Sequence, residues 1–259
     1  MKKTLVRALL LLLLSAVALQ LVFVLRIAVM LVLDPQSTAF QRTELRRLLA
    51  EPQPLSWSQK WRPYERIAAT LKRAVIASED ASFTDHAGID WEAIERAWER
   101  NERAQARAER VREQAEARQS RLAASGRKVT ARPASAPRIV GGSTITQQLA
   151  KNLLLSSERS LARKGQEFVL ATWLELLLGK ERILEIYLNN VEWGEGVFGA
   201  QAAARHYYRT DADRLGATQA ARLAVMLPAP KRFEKRPGSA YVSGRAATIV
   251  ARMSDVELP

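Results

Sequence analysis

The stretch that decides the fold is GGSTITQQLAKNLLL, residues 141–155, which predicts a loop that runs into an amphipathic helix. Two glycines free the backbone first, and Thr144 followed three residues later by Gln147 predicts a capping box at the start of the helix. At about 100° per residue, Thr144, Gln148 and Lys151 share one polar side. The opposite side is apolar and carries Ile145, Leu149 and Leu153.

The polar side of this helix offers a hydroxyl, an amide and an ammonium group in one row. A helix N-terminus adds backbone N–H donors and a positive dipole end, which together with Lys151 suit an anion such as a phosphate. The alternative is an ordinary surface helix, because Thr, Gln and Lys are common on solvated faces. Spacing alone leaves both interpretations open.

Composition sets the broad limits. The chain has 259 residues and is 47% hydrophobic, which is ample for a packed core. Its 40 Lys and Arg against 27 Asp and Glu give a net charge of +13. Such a charge predicts attraction to nucleic acid, a phospholipid surface or an acidic substrate. The absence of cysteine excludes disulfides, a thiolate nucleophile and a cysteine metal site.

The N-terminus predicts a membrane anchor. Three basic residues precede an apolar run over 8–25, which is about the length needed to cross a membrane. Arg26 interrupts the run, so the span either ends there or continues as a longer tilted helix over 8–33. A cleaved signal peptide is the competing interpretation, but the run is too long for one. The basic flank predicts a cytoplasmic segment over 1–7 and an extramembrane domain over 34–259.

The first candidate catalytic residue is Glu79, near the end of a helical pattern that opens at Pro63. A helix C-terminus disfavours negative charge and would raise the pKa of this carboxyl group. An acid placed against local preference is a candidate for function. His86 is either a metal ligand, a proton shuttle or a structural hydrogen-bonding group, and the last is favoured. Gly88 predicts a turn before Asp90 caps the next helix.

The middle of the chain is highly charged. From Glu92 to about residue 122, Arg, Glu, Ala and Gln follow one another with i,i+4 pairs, which predicts a solvent-projecting helix that is polar nearly all round. Residues 125–140 are basic and Pro-rich, which is typical of a flexible linker. A nucleic-acid-binding arm is disfavoured because no stacking aromatics interleave with the Arg residues. We therefore assign 97–138 to a charged insertion and linker.

A second candidate carboxylate lies in a long helix predicted over 161–178 and closed by Gly179. Arg163 and Glu167 are one turn apart, so Glu167 should be partly desolvated beside a cation and remain ionised. A plain ion pair worth ~0.2–0.5 kcal/mol fits the same spacing. No stretch alternates like a strand, so the extramembrane part is predicted to be mainly α. Further helices are predicted over 180–190, 200–208 and 218–227, before a basic tail.

The sequence contains four motifs in the order and approximate spacing of the family 51 glycosyltransferases, which polymerise peptidoglycan: EDASFTDHAGID, GGSTITQQLAKN, RKGQE and ILEIYLNN. The resemblance runs from about residue 62 to the C-terminus. GVFGAQAAARHYY, PAPKRF and GSAYV resemble the monofunctional members of the family. The chain ends before a penicillin-binding transpeptidase domain could begin, so no transpeptidase activity is expected.

The resemblance implies a mainly α, lysozyme-like glycosyltransferase domain with a small membrane-proximal jaw, preceded by one transmembrane helix. Such a domain extends β-1,4 glycan strands from lipid II, with inversion at the anomeric carbon and release of undecaprenyl diphosphate. The implied setting is the inner membrane, crossed once, with the catalytic domain in the periplasm. The implied partners are lipid II, the growing glycan strand and cell-wall synthesis or division proteins, and not nucleic acid.

The resemblance also implies roles for individual residues. Glu79 is the general base that takes the proton from the acceptor's 4-hydroxyl group. Glu167 is the second carboxylate, near the donor diphosphate and its Mg²⁺ or other divalent cation. Because a diphosphate leaves, cations and helix donors must stabilise developing charge. The expected substrate-binding residues match the donor site (Thr144, Gln148, Lys151, Asn152, Arg163 and Lys164) and the first motif (Asp80, Phe83 and His86).

Two rival functions fit part of the sequence. A lytic transglycosylase or lysozyme also uses a glutamate in a helical fold, but it cuts the glycan and would need neither GGSTITQQ nor the RK-x-x-E pair. A membrane-anchored scaffold would use the basic helix to bind anionic partners. The charged segment over 97–138 is longer than expected of the family and lies between two active-site motifs. The resemblance therefore does not predict the shape of the cleft's rim in this chain.

Overall fold

The computed structural model describes residues 2–52, 54, 56–124, 141–155 and 160–259. The chain divides into two compact units, the first formed by Met1–Ile89 and Thr144–Pro259 and the second by Asp90–Ser143. The described helices are α1 (Lys2–Val29), α2 (Ala39–Ala50), α3 (Ala69–Glu79), α4 (Trp91–Ala124), α5 (Ile145–Leu154), α6 (Leu161–Asn190), α7 (Ala200–Tyr208), α8 (Ala217–Met226), α9 (Pro230–Phe233) and α10 (Ala240–Arg252). The described strands are β1 (Ser58–Gln59), β2 (Glu192–Gly194) and β3 (Val197–Phe198).

Helix α1 is the one helix in the described part of the chain that is long and apolar enough to cross a membrane. It ends at Val29, short of the predicted end at residue 33. Its last turns belong to the folded unit, because Ile27 is fully buried in the core and Met30 is 7% exposed. Arg182 holds the turn that follows, donating hydrogen bonds to the carbonyl oxygens of Met30 and Leu33 at 2.9 and 3.3 Å.

The core of the first unit lies among α3, α5, α6, α8 and α10, with α5 packed on α6 and both α3 and α10 packed on α8. The apolar side of α5 is buried as predicted, with at most 1% of each side chain exposed for Ile145, Leu149 and Leu153. The helix starts with the predicted capping box, in which the Thr144 hydroxyl accepts from the N–H of Gln147 and the Gln147 side chain accepts from the N–H of Thr144.

Helix α3 begins later than the pattern opened by Pro63 predicts. Residues Tyr64–Arg66 form a 3₁₀ turn, and the backbone is then extended at Ile67. The Ala68 N–H donates to the carbonyl oxygen of Ala212 at 3.0 Å instead of continuing a helix. The chain becomes α-helical at Ala69, and Glu79 is the last residue of the helix, as predicted.

The expectation of no strand is wrong at one place. A three-stranded sheet has the order β1-β3-β2, with β1 parallel and β2 antiparallel to β3. Strands of two or three residues are too short for alternation to show in the sequence. Gly196 turns the chain between β2 and β3 with φ of 70°, and an added Cβ would lie 2.0 Å from the carbonyl oxygen of Ser56. The close approach therefore requires glycine.

Two further helices correct the sequence-based prediction. Helix α2 occupies a region without a predicted element, where a Thr38–Gln41 capping box begins it and Leu48 is buried. The predicted basic tail contains α10, whose buried residues Val242, Ala246 and Ile249 recur at helical spacing. Their charged neighbours obscure this apolar stripe in the sequence. Gly179, with φ of 71°, interrupts α6 as predicted.

The second unit consists mainly of α4. The Asp90 side chain accepts from the N–H of Ala93 at 2.7 Å, as expected of an N-cap. The predicted i,i+4 ion pairs Arg96–Glu92 and Arg103–Glu99 are each formed at 3.0 Å. Most described side chains of this helix are exposed, in agreement with a solvent-projecting helix. The predicted linker over 125–140 lies outside the described residues.

Candidate active site

The candidate base Glu79 is held by a chain of hydrogen bonds that joins three helices. At the end of α3, its Oε2 accepts from the side-chain N–H of Gln148 on α5 at 3.0 Å. The Gln148 Oε1 in turn accepts from the hydroxyl group of Tyr187 on α6 at 3.0 Å. Tyr187 is 1% exposed, so this support is rigid. The amide of Gln148 therefore has one orientation that satisfies both partners.

The electrostatic surroundings of Glu79 suit a proton acceptor. Burial raises the pKa of its carboxyl group, and the adjacent Asp80 raises it further. The hydrogen bond from Gln148 and the charge of Lys151 act in the opposite direction but are outweighed. The predicted direction of the shift is thus confirmed, although burial is its leading cause. Burial also raises the pKa of Tyr187 well above its usual range, which keeps this hydroxyl a donor.

Asp80 and His86 connect the first motif to the start of α5. His86 Nδ1 accepts from the N–H of Gly88 at 3.1 Å, so the proton lies on Nε2, which is 2.9 Å from Asp80 Oδ1. The other oxygen of Asp80 accepts from the N–H of Ile145 at 2.9 Å. Asp80 is 7% exposed. Both side chains are therefore positioning residues, and His86 has the favoured structural role.

Thr144 and Phe83, both predicted among the substrate-binding residues, make contacts within the protein. The Thr144 hydroxyl donates to the carbonyl oxygen of Gly88 at 2.7 Å and accepts from the N–H of Gln147 at 3.1 Å. Phe83 is fully buried, with Lys180 Nζ 4.5 Å from its ring centre. These contacts show how both side chains are held inside the protein, and their predicted contact with the substrate stays a prediction.

A cleft of about 450 Å³ lies along the polar side of α5. Four of its lining residues are among those predicted to bind substrate: Gln148, Lys151, Asn152 and Arg163. Gln148 is the hydrogen-bond partner of Glu79, and Arg163 is a partner of Glu167. The cleft is therefore bordered by the direct partners of both candidate carboxylates. Its remaining lining is largely apolar: Phe40, Leu155, Val191, Glu192, Leu227, Pro228 and Pro230.

Glu167 is a buried carboxylate with two cationic partners. It is 3% exposed, and Arg163 donates to its Oε2 at 2.9 Å. Lys164 donates to its Oε1 at 2.6 Å. A solvent-exposed i,i+4 pair would show neither this burial nor a second cation. Glu167 therefore orients Arg163 at the edge of the cleft, and Lys164 contacts the carboxylate rather than lining the cavity described above.

The divalent cation expected at Glu167 does not fit the side chains around it. Both oxygens of Glu167 already accept hydrogen bonds from Arg163 and Lys164. Across the described ranges, no three His, Cys, Asp or Glu residues are grouped so as to hold a metal ion. The carboxylates in the described part of the chain thus offer no grouped set of metal ligands, and no step below is assigned to a metal ion.

Two residues at the site escape the sequence-based prediction. Tyr187 lies in ILEIYLNN, where an aromatic residue on a helix predicts core packing. Its hydrogen bond to Gln148 shows that it also supports the partner of Glu79. Glu192 is one of two acids in the loop sequence VEWGEG and lies between Val191 and Trp193, a signal that could have drawn attention to it. It is 7% exposed and lines the cleft.

Comparison with known proteins assigns the chain to a family. The chain belongs to the transglycosylase family, whose model matches residues 47–110 and 122–254. The match confirms the predicted fold class, and its gap falls within α4. The chain is 49% identical over 226 residues to the biosynthetic peptidoglycan transglycosylase of Bordetella pertussis, covering 87% of this chain and 82% of the relative. It is also 49% identical over 242 residues to the protein of the same name from Burkholderia multivorans, covering 93% and 86%.

Proposed function

We propose that this protein is a peptidoglycan glycosyltransferase that polymerises lipid II into β-1,4 glycan strands and releases undecaprenyl diphosphate. The family match and the names of the relatives support the reaction class. The observation that carries the proposal is a pair of carboxylates beside one cleft, Glu79 partly buried and Glu167 buried. Glu79 has a raised pKa and an amide partner, whereas Glu167 is bound by two cations.

In this proposal Glu79 is the general base. It takes the proton of the acceptor's 4-hydroxyl group as that oxygen forms a bond to the donor's anomeric carbon from the face opposite the leaving group. The bond from the anomeric carbon to the diphosphate oxygen breaks, and the electron pair leaves with the diphosphate. A raised pKa brings the carboxyl group closer to the operating pH, where a general base works best.

The cations of the cleft serve the leaving group. Lys151 is exposed on α5, and Arg163 is fixed by Glu167, so both charges border the cavity that would receive the diphosphate. Asn152 lines the same cavity and offers an amide donor. Charge placed in advance where charge develops lowers the barrier without reorganisation during the reaction. A divalent cation would take its ligands from the diphosphate itself, and Glu167 would act by holding Arg163 and Lys164.

The proposed location is the inner membrane, crossed once by α1, with the catalytic domain in the periplasm. The apolar helix and its basic N-terminal flank support this topology. A reporter that is active only outside the cytoplasm should work when it is fused after Pro259. Activity of a cytoplasmic reporter alone would contradict the topology. Cell-wall synthesis or division proteins are candidate partners at this location, together with the growing glycan strand.

The decisive experiment incubates the detergent-purified full chain with lipid II and separates the products by size. Formation of polymeric glycan supports the proposal, and Glu79→Gln provides the matched inactive control. A lytic enzyme would instead shorten preformed glycan and leave lipid II unchanged. A scaffold without enzymatic activity would give no product and would keep its binding function after loss of Glu79 and Glu167.

A further inference from the structure

Glu192 is the one acidic side chain among the described residues that line the cleft. It belongs to β2 and is 7% exposed. Its Oε1 is buried and makes no hydrogen bond. Buried carboxyl oxygens are normally satisfied, and one that is not carries a desolvation penalty that a ligand could relieve. The sequence-based roles and the proposed mechanism leave this group unused.

The nearest cation does not neutralise Glu192 fully. Lys231 Nζ lies 3.6 Å from Oε1, beyond hydrogen-bonding distance, because the same ammonium group is in close contact with Glu44. Glu44 is held in place from its other side by Arg47, whose Nε donates to both of its oxygens at 2.9 and 3.0 Å. The ammonium group of Lys231 therefore contacts two carboxyl groups, and its contact with Glu192 is the longer of the two.

We propose that Glu192 is a substrate-binding residue, whose carboxyl group forms a hydrogen bond with an oxygen atom of the lipid-linked saccharide in the cleft. This inference rests on the proposed function, because it takes the occupant of the cleft to be the donor substrate. It assigns a contact to the part of the cavity lining that comes from β2 and α9, outside the predicted donor motifs. Lys231 and Glu44 are positioning residues in this arrangement.

The protonation of Glu192 determines what it offers to the substrate. Burial raises the pKa of its carboxyl group to about 7, and the charges of Glu44 and Glu234 raise it while Lys231 lowers it. Burial and the charges of Glu234 and Glu192 also raise the pKa of Tyr207, a further titratable neighbour. A neutral carboxyl group donates a hydrogen bond to a substrate oxygen. The carboxylate cannot donate, and it places negative charge near an anionic donor.

The test measures the dependence of KM and kcat on pH between 6 and 8.5 for lipid II polymerisation by the full chain. Glu192→Gln mimics the neutral acid in shape and retains a donor, whereas Glu192→Ala removes the contact. Glu195→Gln is the matched control, because Glu195 is exposed, lies three residues further along and pairs with Arg47 outside the cleft. Thermal unfolding midpoints of all variants are measured alongside.

At pH 6.5 we expect Glu192→Ala to raise KM about tenfold, the effect of one hydrogen bond to an anionic ligand, with kcat within about threefold. The wild-type KM should rise between pH 6.5 and 8.5 towards that of the alanine variant. Glu192→Gln should keep the low KM across the range, and Glu195→Gln should follow the wild type. A glutamine variant as impaired as the alanine variant at pH 6.5, or a wild-type KM that does not change with pH, overturns the inference.

A second arm identifies which oxygen is bound. A short-chain polyprenyl diphosphate without sugar is used as a competitive inhibitor of the wild type and Glu192→Ala. An inhibition constant raised by the same factor as KM assigns the contact to the diphosphate, and an unchanged one assigns it to the sugar. If neither KM nor the inhibition constant changes, the inference is wrong even though the wild type polymerises lipid II. An inactive wild type would instead contradict the proposed function.

Discussion

The end of α3 and the first turns of α6 each bury one glutamate beside the same cleft, but they surround it differently. Glu79 is the last residue of its helix and receives a neutral amide from Gln148. Glu167 lies in the second turn of its helix and receives the charged groups of Arg163 and Lys164. Burial raises the pKa of Glu79, whereas the charge of Glu167 is matched by cations on both oxygens.

In the proposed mechanism, this difference gives one residue type two tasks. A buried carboxyl group without a contacting cation gains stability by taking up a proton, so it is suited to accept one during the reaction. A buried carboxylate that accepts hydrogen bonds from two cations fixes those cations in place. The proposed division of labour therefore depends on whether each acid contacts a neutral amide or cations. Substitutions of these residues test it, and the largest effect is expected at the base.

The largest effect is expected for Glu79→Gln. The amide keeps the shape of the side chain but cannot act as a base, so the polymerisation rate should fall ~10²- to 10⁴-fold. Donor binding, measured by competition with a lipid diphosphate, should remain within a few fold. Near-normal turnover in this variant would remove the assignment of Glu79 as the base.

The next effect concerns the cations of the cleft. Lys151→Ala and Arg163→Ala should each reduce kcat/KM for lipid II by about 10- to 100-fold, since a contact with a charged group is worth ~1.5–3 kcal/mol. Lys151→Arg should restore activity only in part, because a planar guanidinium group replaces a compact ammonium group. Normal kinetics for Lys151→Ala would contradict an anion site on α5.

The free energy of unfolding should change in opposite directions when Glu79 and Glu167 are each replaced by glutamine. Burial raises the pKa of Glu79 above its ordinary value of 4.5. The group therefore stabilises the folded state most below pH 4.5, and this contribution is lost as the pH rises through the raised pKa, so Glu79→Gln should raise the free energy of unfolding at pH 7.5 relative to the wild type.

Glu167→Gln should lower that free energy by roughly 1–3 kcal/mol, because it leaves Arg163 and Lys164 without their common partner. Urea titrations of both variants at pH 5 and pH 7.5 measure the contrast. Changes of the same sign at pH 7.5 would show that the two acids are not in different electrostatic states. Glu167→Gln should also retain measurable polymerisation, unlike the variant of Glu79.

The smallest effect is expected for Tyr187→Phe. Removing the hydroxyl group deletes one neutral hydrogen bond to Gln148, which is worth about 1 kcal/mol, so kcat should fall about fivefold. KM for lipid II should not change, because Tyr187 acts through Gln148 and does not line the cleft. A change in KM with constant kcat would instead assign Tyr187 to substrate binding.

The sequence predicts the site well where the signals are local. The capping box at Thr144, the apolar side of α5 and the position of Glu79 at a helix end depend on neighbours within one or two turns. Whether a motif residue contacts the ligand or supports another residue depends on packing between distant segments. The structure shows contacts within the protein for all four first-motif and capping residues predicted at the substrate, and their contact with substrate stays a prediction: Thr144, Phe83, Asp80 and His86.

The contributions of Tyr187 and Glu192 also depend on tertiary contacts. Tyr187 meets Gln148 across 39 positions in the sequence, and Glu192 meets Lys231 across a similar separation. No periodicity in the sequence can reveal such pairs. The short strands that place Glu192 are equally hidden, because two or three residues cannot establish a pattern.

The hydrogen-bond chain from Tyr187 through Gln148 makes the two oxygens of Glu79 inequivalent. The phenol donates to the amide oxygen, so the amide nitrogen must face Oε2, and that oxygen is committed to accepting. In the proposed mechanism, Oε1 is then the atom that receives the proton, because Oε2 already accepts from an N–H donor. The hydroxyl group of a buried tyrosine would thereby set the side of Glu79 that the acceptor sugar approaches.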